Sequence, residues 1–188
     1  MTAADLRLIA PNLITLARLC AVPVTIYLII DGQLEPAFWL FVAAGISDAV
    51  DGFLAKHLHA RTVIGGYLDP LADKALLVSV YIALGHQGHL PIWLVILVVF
   101  RDGLIVAGVV LAHALGHPFK PRPLLISKIN TGMQIALAAF LLLKLGPGID
   151  LALIAPLIYL TAASTLASGA AYVIQGLRGA ARIEGAAR

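Results

Sequence analysis

The chain has 188 residues, of which 61% are hydrophobic and only 12% are charged, and its formal net charge is +3. A soluble domain of this length cannot bury so much apolar surface, so the composition excludes an ordinary soluble fold and predicts an integral membrane protein. The single cysteine, Cys20, excludes an intramolecular disulfide framework and a CxxC metal site. The excess of positive charge is expected to attract lipid head groups, and no nucleic-acid partner is predicted.

Six apolar segments follow one another along the chain, separated by polar residues or by Gly and Pro. Each is close to the ~20 residues that a helix needs to cross a bilayer. Long runs of Leu, Ile, Val and Ala without strict alternation favour helices over a membrane β-barrel. The predicted fold is therefore an all-α integral membrane protein with six transmembrane helices, over residues 11–30, 36–57, 65–86, 91–115, 127–145 and 150–175.

The six-helix region, residues 11–175, is predicted to form one domain with a short segment on each side. Residues 1–10 mix charged and apolar side chains and could form an interfacial amphipathic helix. Pro11 suits the first turn of the helix that follows. The first apolar run has no convincing cleavage site, so we expect this helix to be retained. Residues 176–188 are expected to form a basic cytoplasmic tail.

The basic residues are distributed unevenly between alternate loops. Most Lys and Arg residues fall on the side of the two termini, whereas the opposite loops contain only Lys144. The positive-inside rule therefore predicts both termini in the cytoplasm. Aromatic residues lie near the opposite ends of the helices, as an aromatic belt at the membrane interface would: Tyr27, Trp39, Tyr81 and Trp93.

Four aspartates lie in the stretch from Ser47 to Lys74, within segments apolar enough to cross a membrane: Asp48, Asp51, Asp69 and Asp73. A carboxylate at membrane depth is costly, and hard oxygen ligands without a Cys or His cluster favour Mg²⁺, Mn²⁺ or Ca²⁺. Spacings of three and four residues place each pair on one helix face. Antiparallel helices would bring all four carboxylates to one level near the cytoplasm.

The alternative is that these aspartates form ion pairs with Lys56, Arg61 and Lys74. This alternative is disfavoured because Asp48 and Asp69 would still lack clear partners. Several carboxylates held close together can instead bind two divalent ions and clamp a phosphate between them.

Neighbouring residues extend this cluster towards a phosphorylated ligand. Lys56 and Arg61 supply positive charge at the same level. Gly52 and Gly65 leave room for a bulky ligand, although they could equally serve helix packing. The residues alone thus predict a metal-dependent site for a phosphorylated, lipid-linked substrate that opens to the cytoplasm.

The spacing D-x2-D-G-x2-A-K-x8-G-x3-D-x3-D, from Asp48 to Asp73, resembles the signature of the CDP-alcohol phosphatidyltransferase family. One fixed position differs: Lys56 stands where the family has Arg, which keeps the charge but loses the bidentate fork. Further stretches are also similar to this family: PNLITLARL, YLDPLADKALL, FRDGLI and LISKINTGMQ. The last stretch resembles the CMP-forming cardiolipin synthases most, and phosphatidylglycerophosphate synthases are close competitors.

The resemblance implies six helices around a polar, cytoplasm-facing cavity, in a homodimer in the bacterial inner membrane. It implies transfer of a phosphatidyl group from CDP-diacylglycerol to phosphatidylglycerol, giving cardiolipin and CMP. The alternative acceptor is glycerol-3-phosphate. Asp48, Asp51 and Asp69 would hold the Mg²⁺ or Mn²⁺ ions that bridge the diphosphate. Asp73 would also bind metal and act as the general base.

The remaining candidates are divided between the two substrates that the resemblance implies. Residues beside the aspartates or on the first helix would contact CDP, with interhelical hydrogen bonding as the alternative for the first-helix residues: Gly52, Ala55, Lys56, Gly65, Asn12, Thr15 and Arg18. Residues on helices four and five would bind the acceptor: Arg101, Ser127, Lys128 and Asn130.

Each acceptor candidate has a structural alternative. Arg101 could form an ion pair with Asp102, but neighbours on a helix point in different directions, so this pairing is expected to be imperfect. Lys128 could serve only as a cytoplasmic anchor. Small residues in the last helix are expected to form a close packing face and not a site: Ala163, Ser164, Ala167, Ser168 and Ala171.

The rival function is that of a divalent-cation transporter, with the aspartates as its ion pathway. A transporter requires carboxylates along a path through both leaflets. The outer halves of these helices contain almost no acidic residues, which favours the enzyme. A non-enzymatic lipid-binding module would not need four carboxylates at one depth.

Overall fold

The structure is a computed structural model that describes residues 3–58, 65–114, 125–149 and 151–186. Side chains are described over residues 15–48, 74–108, 110, 125–149 and 151–177. All six predicted helices are present, and the described residues include no β-strand. The helices are α1 (Ala3–Ile30), α2 (Leu34–Leu58), α3 (Gly65–His86), α4 (Ile92–Ala114), α5 (Leu125–Leu145) and α6 (Ile154–Ala186).

The first and third helices end in the same hydrogen-bonded motif. After α1, Gly32 has a φ of +77° and donates its N–H to Ile29 O at 3.2 Å, and Gln33 N–H donates to Leu28 O at 2.8 Å. After α3, Gly88 adopts a φ of +75° in an equivalent turn. Glycine adopts positive φ without a steric penalty, so it stops a helix while satisfying its last carbonyl groups. The glycines read as breaks in the sequence therefore do end these helices.

Two helices are longer than predicted. The first begins at Ala3 and continues through Pro11, so Pro11 lies inside α1 and not in its first turn. Pro11 removes one backbone donor, yet the residues on both sides of it remain helical. The last helix continues from Ile154 to Ala186 and includes most of the predicted tail. The interfacial position of residues 1–10 and the cytoplasmic position of the tail stay predictions.

The chain divides into two compact units. Unit 1 comprises Met1–Leu90 and Ala138–Leu151, and unit 2 comprises Pro91–Leu137 and Ala152–Arg188. In unit 1, α1 packs against both α2 and α3; in unit 2, α4 packs against α6. Each unit has an apolar core of fully buried side chains, including Ile29, Val80 and Leu84 in unit 1 and Leu94, Val98 and Leu137 in unit 2.

Many large apolar side chains lie on the surface. On α4, five of them lie within about one third of the helix circumference and are between 53% and 66% exposed: Ile92, Ile96, Phe100, Val106 and Val110. An apolar stripe of this extent is unfavourable in water and is typical of a surface covered by lipid or protein. Within the described residues, Leu125–Leu145 and Ile154–Leu177 are long and apolar enough to cross a membrane.

Three residues of the predicted aromatic belt have exposed side chains, and their position at a membrane interface stays a prediction. Tyr27, Trp39 and Trp93 are 62%, 59% and 47% exposed. Tyr81 is fully buried, so the prediction was wrong for this residue. It lies next to Val80 on a part of α3 that belongs to the core of unit 1, and proximity to a helix end did not reveal which face it occupies.

Candidate active site

The signature aspartates lie on two helices of unit 1. Asp48 and Asp51 are three residues apart in α2, and Asp69 and Asp73 are four residues apart in α3. Because these segments are helical, each pair shares one helix face, as predicted. Of the four carboxylates, only that of Asp48 lies within the described side chains. Five CDP-binding candidates also lie outside the described side chains: Asn12, Gly52, Ala55, Lys56 and Gly65.

Asp48 forms an ion pair with Arg18 of α1. Arg18 Nη1 lies 3.0 Å from Asp48 Oδ1, and the two side chains are 1% and 45% exposed respectively. The expectation that Asp48 would lack a clear partner in the protein was therefore wrong, because a neighbouring helix supplies one. Asp48 Oδ2 has no hydrogen-bond or ion-pair partner among the described residues. Arg18 thus holds one oxygen of a half-exposed carboxylate and leaves the other oxygen available.

The available donors fit a hard divalent cation. Two helical carboxylate pairs provide only oxygen ligands, which Mg²⁺ and Mn²⁺ prefer. A ligand carboxylate held through its second oxygen by a hydrogen-bond donor is typical of metal sites, and the Arg18–Asp48 contact has this form. Among the described side chains no three His, Cys, Asp or Glu come together; Asp51, Asp69 and Asp73 lie outside that set.

Thr15 is a buried residue of α1. It lies three residues before Arg18, on the same helix face, and both residues are only 3% exposed. Burial of this face favours the alternative in which Thr15 joins helices together over a direct contact with CDP.

Arg101 is the centre of a polar network in unit 2. Its Nε and Nη2 both donate to Ser168 Oγ of α6, at 3.2 and 2.5 Å. Nη2 also donates to Ser127 Oγ of α5 at 2.6 Å. The ring of Tyr172 lies against the guanidinium, with its centroid 5.7 Å from Cζ. Arg101 itself is 3% exposed, so helices α5 and α6 enclose it.

Asp102 neutralises this buried guanidinium. Arg101 Nη1 lies 2.6 Å from Asp102 Oδ1, and the Asp102 side chain is 7% exposed. The expectation of an imperfect pairing between these neighbours was wrong. The Arg side chain is long enough for its guanidinium to turn back towards the next residue, although the two Cα–Cβ bonds diverge.

The network leaves one donor of Arg101 unused. A guanidinium carries five N–H groups, and four of them donate to Ser168 (two), Ser127 and Asp102. The second N–H of Nη1 has no partner among the described residues. Lys128, the other predicted acceptor-binding cation, is exposed and makes no hydrogen bond or ion pair with any described residue.

Asn130 fastens α5 to α6. It is fully buried, and its Oδ1 lies 2.8 Å from both Ser164 Oγ and Thr165 Oγ1. The same hydroxyls lie 3.0 and 2.6 Å from Thr161 O. Each hydroxyl has one proton, so it donates either to Asn130 or to Thr161. Nδ2 of Asn130 has no hydrogen-bond partner among the described residues.

The same heavy-atom positions are also compatible with the Asn130 amide turned by 180°, so that Oδ1 and Nδ2 exchange places. In that orientation Nδ2 donates to the hydroxyls of Ser164 and Thr165, which both donate to Thr161 O. Either orientation uses one end of the Asn130 amide to join two helices. Only the other end is left for a ligand.

The packing face of α6 differs from the predicted one. Ala163 and Ala167 are exposed, whereas Thr161, Thr165 and Ser168 are fully buried. Sequence reasoning therefore missed Ser168 as a partner of Arg101, because it classed the serines with the alanines as small residues. The signal that could have found Ser168 is that hydroxyl groups recur on α6 at helical spacing opposite a buried Arg.

A comparison with protein families finds a match for most of the sequence. The model of the CDP-alcohol phosphatidyltransferase family matches residues 8–171, which include Arg18, Arg101 and the full aspartate signature. The chain belongs to the CDP-alcohol phosphatidyltransferase family. The resemblance predicted from the Asp48–Asp73 spacing is thereby confirmed.

Relatives of this chain carry two kinds of name. It is 39% identical over 184 residues to a chloroplastic CDP-diacylglycerol–glycerol-3-phosphate 3-phosphatidyltransferase of Oryza sativa subsp. japonica, covering 88% of the chain and 56% of the relative. It is 35% identical over 184 residues to a probable CMP-forming cardiolipin synthase of Drosophila melanogaster, covering 87% and 56%. A CMP-forming cardiolipin synthase of Streptomyces coelicolor is 31% identical over 150 residues, covering 77% and 69%. The chain thus spans little more than half the length of the first two relatives.

Proposed function

We propose that the protein transfers a phosphatidyl group from CDP-diacylglycerol to an alcohol acceptor and releases CMP, as a step of phospholipid biosynthesis. The observation that carries this proposal is the position of the signature aspartates. They form two same-face pairs on α2 and α3, both of which pack against α1, the helix that supplies Arg18 to Asp48. The family match over residues 8–171 supports it.

The four aspartates are proposed to hold two divalent cations, Mg²⁺ or Mn²⁺. When bound, such ions supply the positive charge that stabilises the entering and leaving oxygens of a phosphoryl transfer. Two divalent ions balance the four negative charges of Asp48, Asp51, Asp69 and Asp73. Lys56 then offsets part of the charge of the substrate diphosphate. Arg18 keeps Asp48 in one orientation, so that Oδ2 faces a ligand without rearrangement.

Asp73 is proposed to be the general base. It takes the proton of the acceptor hydroxyl while that oxygen bonds to the phosphorus that carries diacylglycerol. The bond from this phosphorus to the CMP oxygen breaks, and CMP leaves with the electron pair. Proximity to CDP is proposed for the small residues and polar groups around the aspartates and on α1: Gly52, Ala55, Lys56, Gly65 and Asn12. The buried Thr15 is proposed to join α1 to its neighbouring helices.

The acceptor is proposed to bind at the polar residues of α4 and α5. Arg101 has one N–H of Nη1 without a described partner, which is the group available for an acceptor phosphate. Lys128 is exposed and one residue from Ser127, so it can add a second positive charge. Asn130 can offer the free end of its amide to a hydroxyl.

Phosphatidylglycerol is the preferred acceptor, with cardiolipin as the product. The stretch LISKINTGMQ and the cardiolipin synthases among the relatives support this choice. Glycerol-3-phosphate is the second candidate, because the rice relative, at 39% identity, is named for it. A divalent-cation transporter is disfavoured by membership in a transferase family.

The proposed setting is a bilayer crossed by all six helices, with the active site and both termini on the cytoplasmic side. In a bacterium this bilayer would be the inner membrane. The exposed apolar stripe on α4 and the two long apolar helices support a position in lipid. A homodimer is proposed from the family resemblance.

The acceptor experiment supplies purified protein in detergent with CDP-diacylglycerol, Mg²⁺ and one acceptor at a time. We expect CMP release with phosphatidylglycerol and a lipid product with the mass of cardiolipin. Release with glycerol-3-phosphate but not with phosphatidylglycerol would replace cardiolipin synthesis by phosphatidylglycerophosphate synthesis. Absence of CMP release with either acceptor and with serine or inositol would contradict the proposed transfer.

A further inference from the structure

Arg101 lies in a setting that fixes its guanidinium more tightly than charge neutralisation requires. The ion pair with Asp102 already supplies the compensating charge. Ser168 nevertheless accepts from both Nε and Nη2, which are the two donors along one edge of the guanidinium. Because two bonds reach one oxygen atom from one planar edge, rotation of the guanidinium about the Cδ–Nε bond would break both of them.

Two further contacts from α6 complete this arrangement. Tyr172 is four residues after Ser168, on the same helix face, and its ring covers the guanidinium at 5.7 Å. Between them, Gly169 has no side chain, and an added Cβ there would lie 3.6 Å from Arg101 Cγ. The aliphatic part of Arg101 therefore runs close along the surface of α6, from Gly169 to the guanidinium.

Every contact that α6 makes with the guanidinium itself lies on Nε, on Nη2 or on the face that the Tyr172 ring covers. Nη1 is bound by Asp102 through one proton and keeps its second N–H. The described contacts thus fix the plane of the guanidinium and leave a single donor, on the nitrogen that α6 does not touch.

We propose that Ser168 and Tyr172 of α6 are positioning residues that hold Arg101 so that the remaining Nη1 donor binds the phosphate of the alcohol acceptor. This inference rests on the proposed transferase activity. It assigns to α6 a share in acceptor specificity, although α6 itself contacts Arg101 and not the substrate. A purely structural network would stabilise the helices without affecting either substrate selectively.

The test compares acceptor and donor kinetics in Ser168→Ala, measured by CMP release with the acceptor that the wild type uses. The change removes the oxygen that accepts two hydrogen bonds from the guanidinium of Arg101. We expect the KM for the acceptor to rise about tenfold, because this factor corresponds to the free energy of one charge-assisted hydrogen bond. The KM for CDP-diacylglycerol and kcat should stay within about twofold of wild type.

Thr161→Val is the matched control. Thr161 is fully buried on the same face of α6, two turns before Ser168, and its hydroxyl lies 3.4 Å from the backbone oxygen of Met133. This variant also removes one buried hydroxyl but leaves Arg101 and its partners intact. We expect both KM values to remain within about twofold of wild type.

Tyr172→Leu is a second variant with less risk to folding, since Tyr172 is only half-buried. Loss of the ring should raise the acceptor KM about threefold, again without changing the KM for CDP-diacylglycerol. The proposal is overturned if both variants leave the acceptor KM unchanged, or if they raise both KM values together. Absence of CMP release by the wild type would instead contradict the proposed transferase activity.

Discussion

Among the described side chains, two arginines are buried and paired with an aspartate, and the two pairs are built in opposite ways. In unit 1, Arg18 is buried while Asp48 is 45% exposed. In unit 2, Arg101 and Asp102 are both buried, at 3% and 7%. In the first pair the aspartate is the exposed member. In the second pair the aspartate is buried, and the arginine has one N–H without a partner among the described residues.

This difference indicates which group of each pair is available for chemistry. In unit 1 the arginine orients a carboxylate that can bind a cation. In unit 2 the aspartate neutralises a guanidinium that can bind an anion. The same two residue types therefore suit the opposite roles proposed for them, which are binding of a metal ion by Asp48 and binding of an acceptor phosphate by Arg101.

The largest effect is expected from the acids of unit 1. Asp73→Asn removes the proposed base and a metal ligand, so CMP release should fall at least about 10³-fold while the purified protein stays monodisperse. Asp31→Asn is a control of the same chemistry, because Asp31 is exposed and, among the described residues, its carboxylate accepts a hydrogen bond only from Gln33. Wild-type activity in Asp73→Asn would exclude this residue as the base.

A smaller effect is expected when the aspartate of each pair is replaced and the free energies of unfolding are compared. Asp102→Asn leaves Arg101 buried without its counter-charge, and the free energy of unfolding should fall by about 3 kcal/mol. Asp48→Asn also removes the counter-charge of the buried Arg18, but the carboxylate that it removes is 45% exposed and Arg18 has a further interaction, so the loss should be smaller, about 1 kcal/mol. Thermal melting in detergent measures both. Equal losses would show that exposure does not distinguish the two pairs.

An effect smaller than that of Asp102→Asn concerns the backbone contact between Gly146 and the start of α2. A Cβ added at Gly146, which follows α5, would lie 2.7 Å from Leu34 O and Glu35 Cα at the start of α2. Backbone atoms cannot yield as a side chain does, so Gly146→Ala should destabilise the protein by about 2 kcal/mol. Gly132→Ala is the control: Gly132 is exposed in α5 with nothing within 4 Å, and Ala there should be neutral or slightly stabilising. If the Gly146 variant melts like the Gly132 variant, the close contact with α2 is not present.

The sequence predicted the helices and the aspartate positions well, because local signals specify both. Gly32 and Gly88 end helices through their own conformational freedom, and the Asp48–Asp73 spacing lies within one continuous stretch. The continuation of α1 through Pro11 was missed, since a proline marks a helix start only when the residues before it are not helical.

Contacts between helices could not be predicted in the same way. The pairing of Arg18 with Asp48 depends on how α1 packs against α2, which no spacing in the sequence encodes. Ser168 looked like a packing residue because its size resembles that of alanine, and its hydroxyl acquires a role only beside Arg101. Tyr81 and Ala163 show the same limit, since the sequence did not reveal which helix face is buried.

The metal dependence of CMP release tests the central claim most directly. Wild-type protein treated with a chelator should release no CMP from CDP-diacylglycerol, and added Mg²⁺ or Mn²⁺ should restore release together with an equal amount of phosphatidyl product on the acceptor. CMP release that continues at full rate in the chelator would contradict the role assigned to the aspartates of α2 and α3.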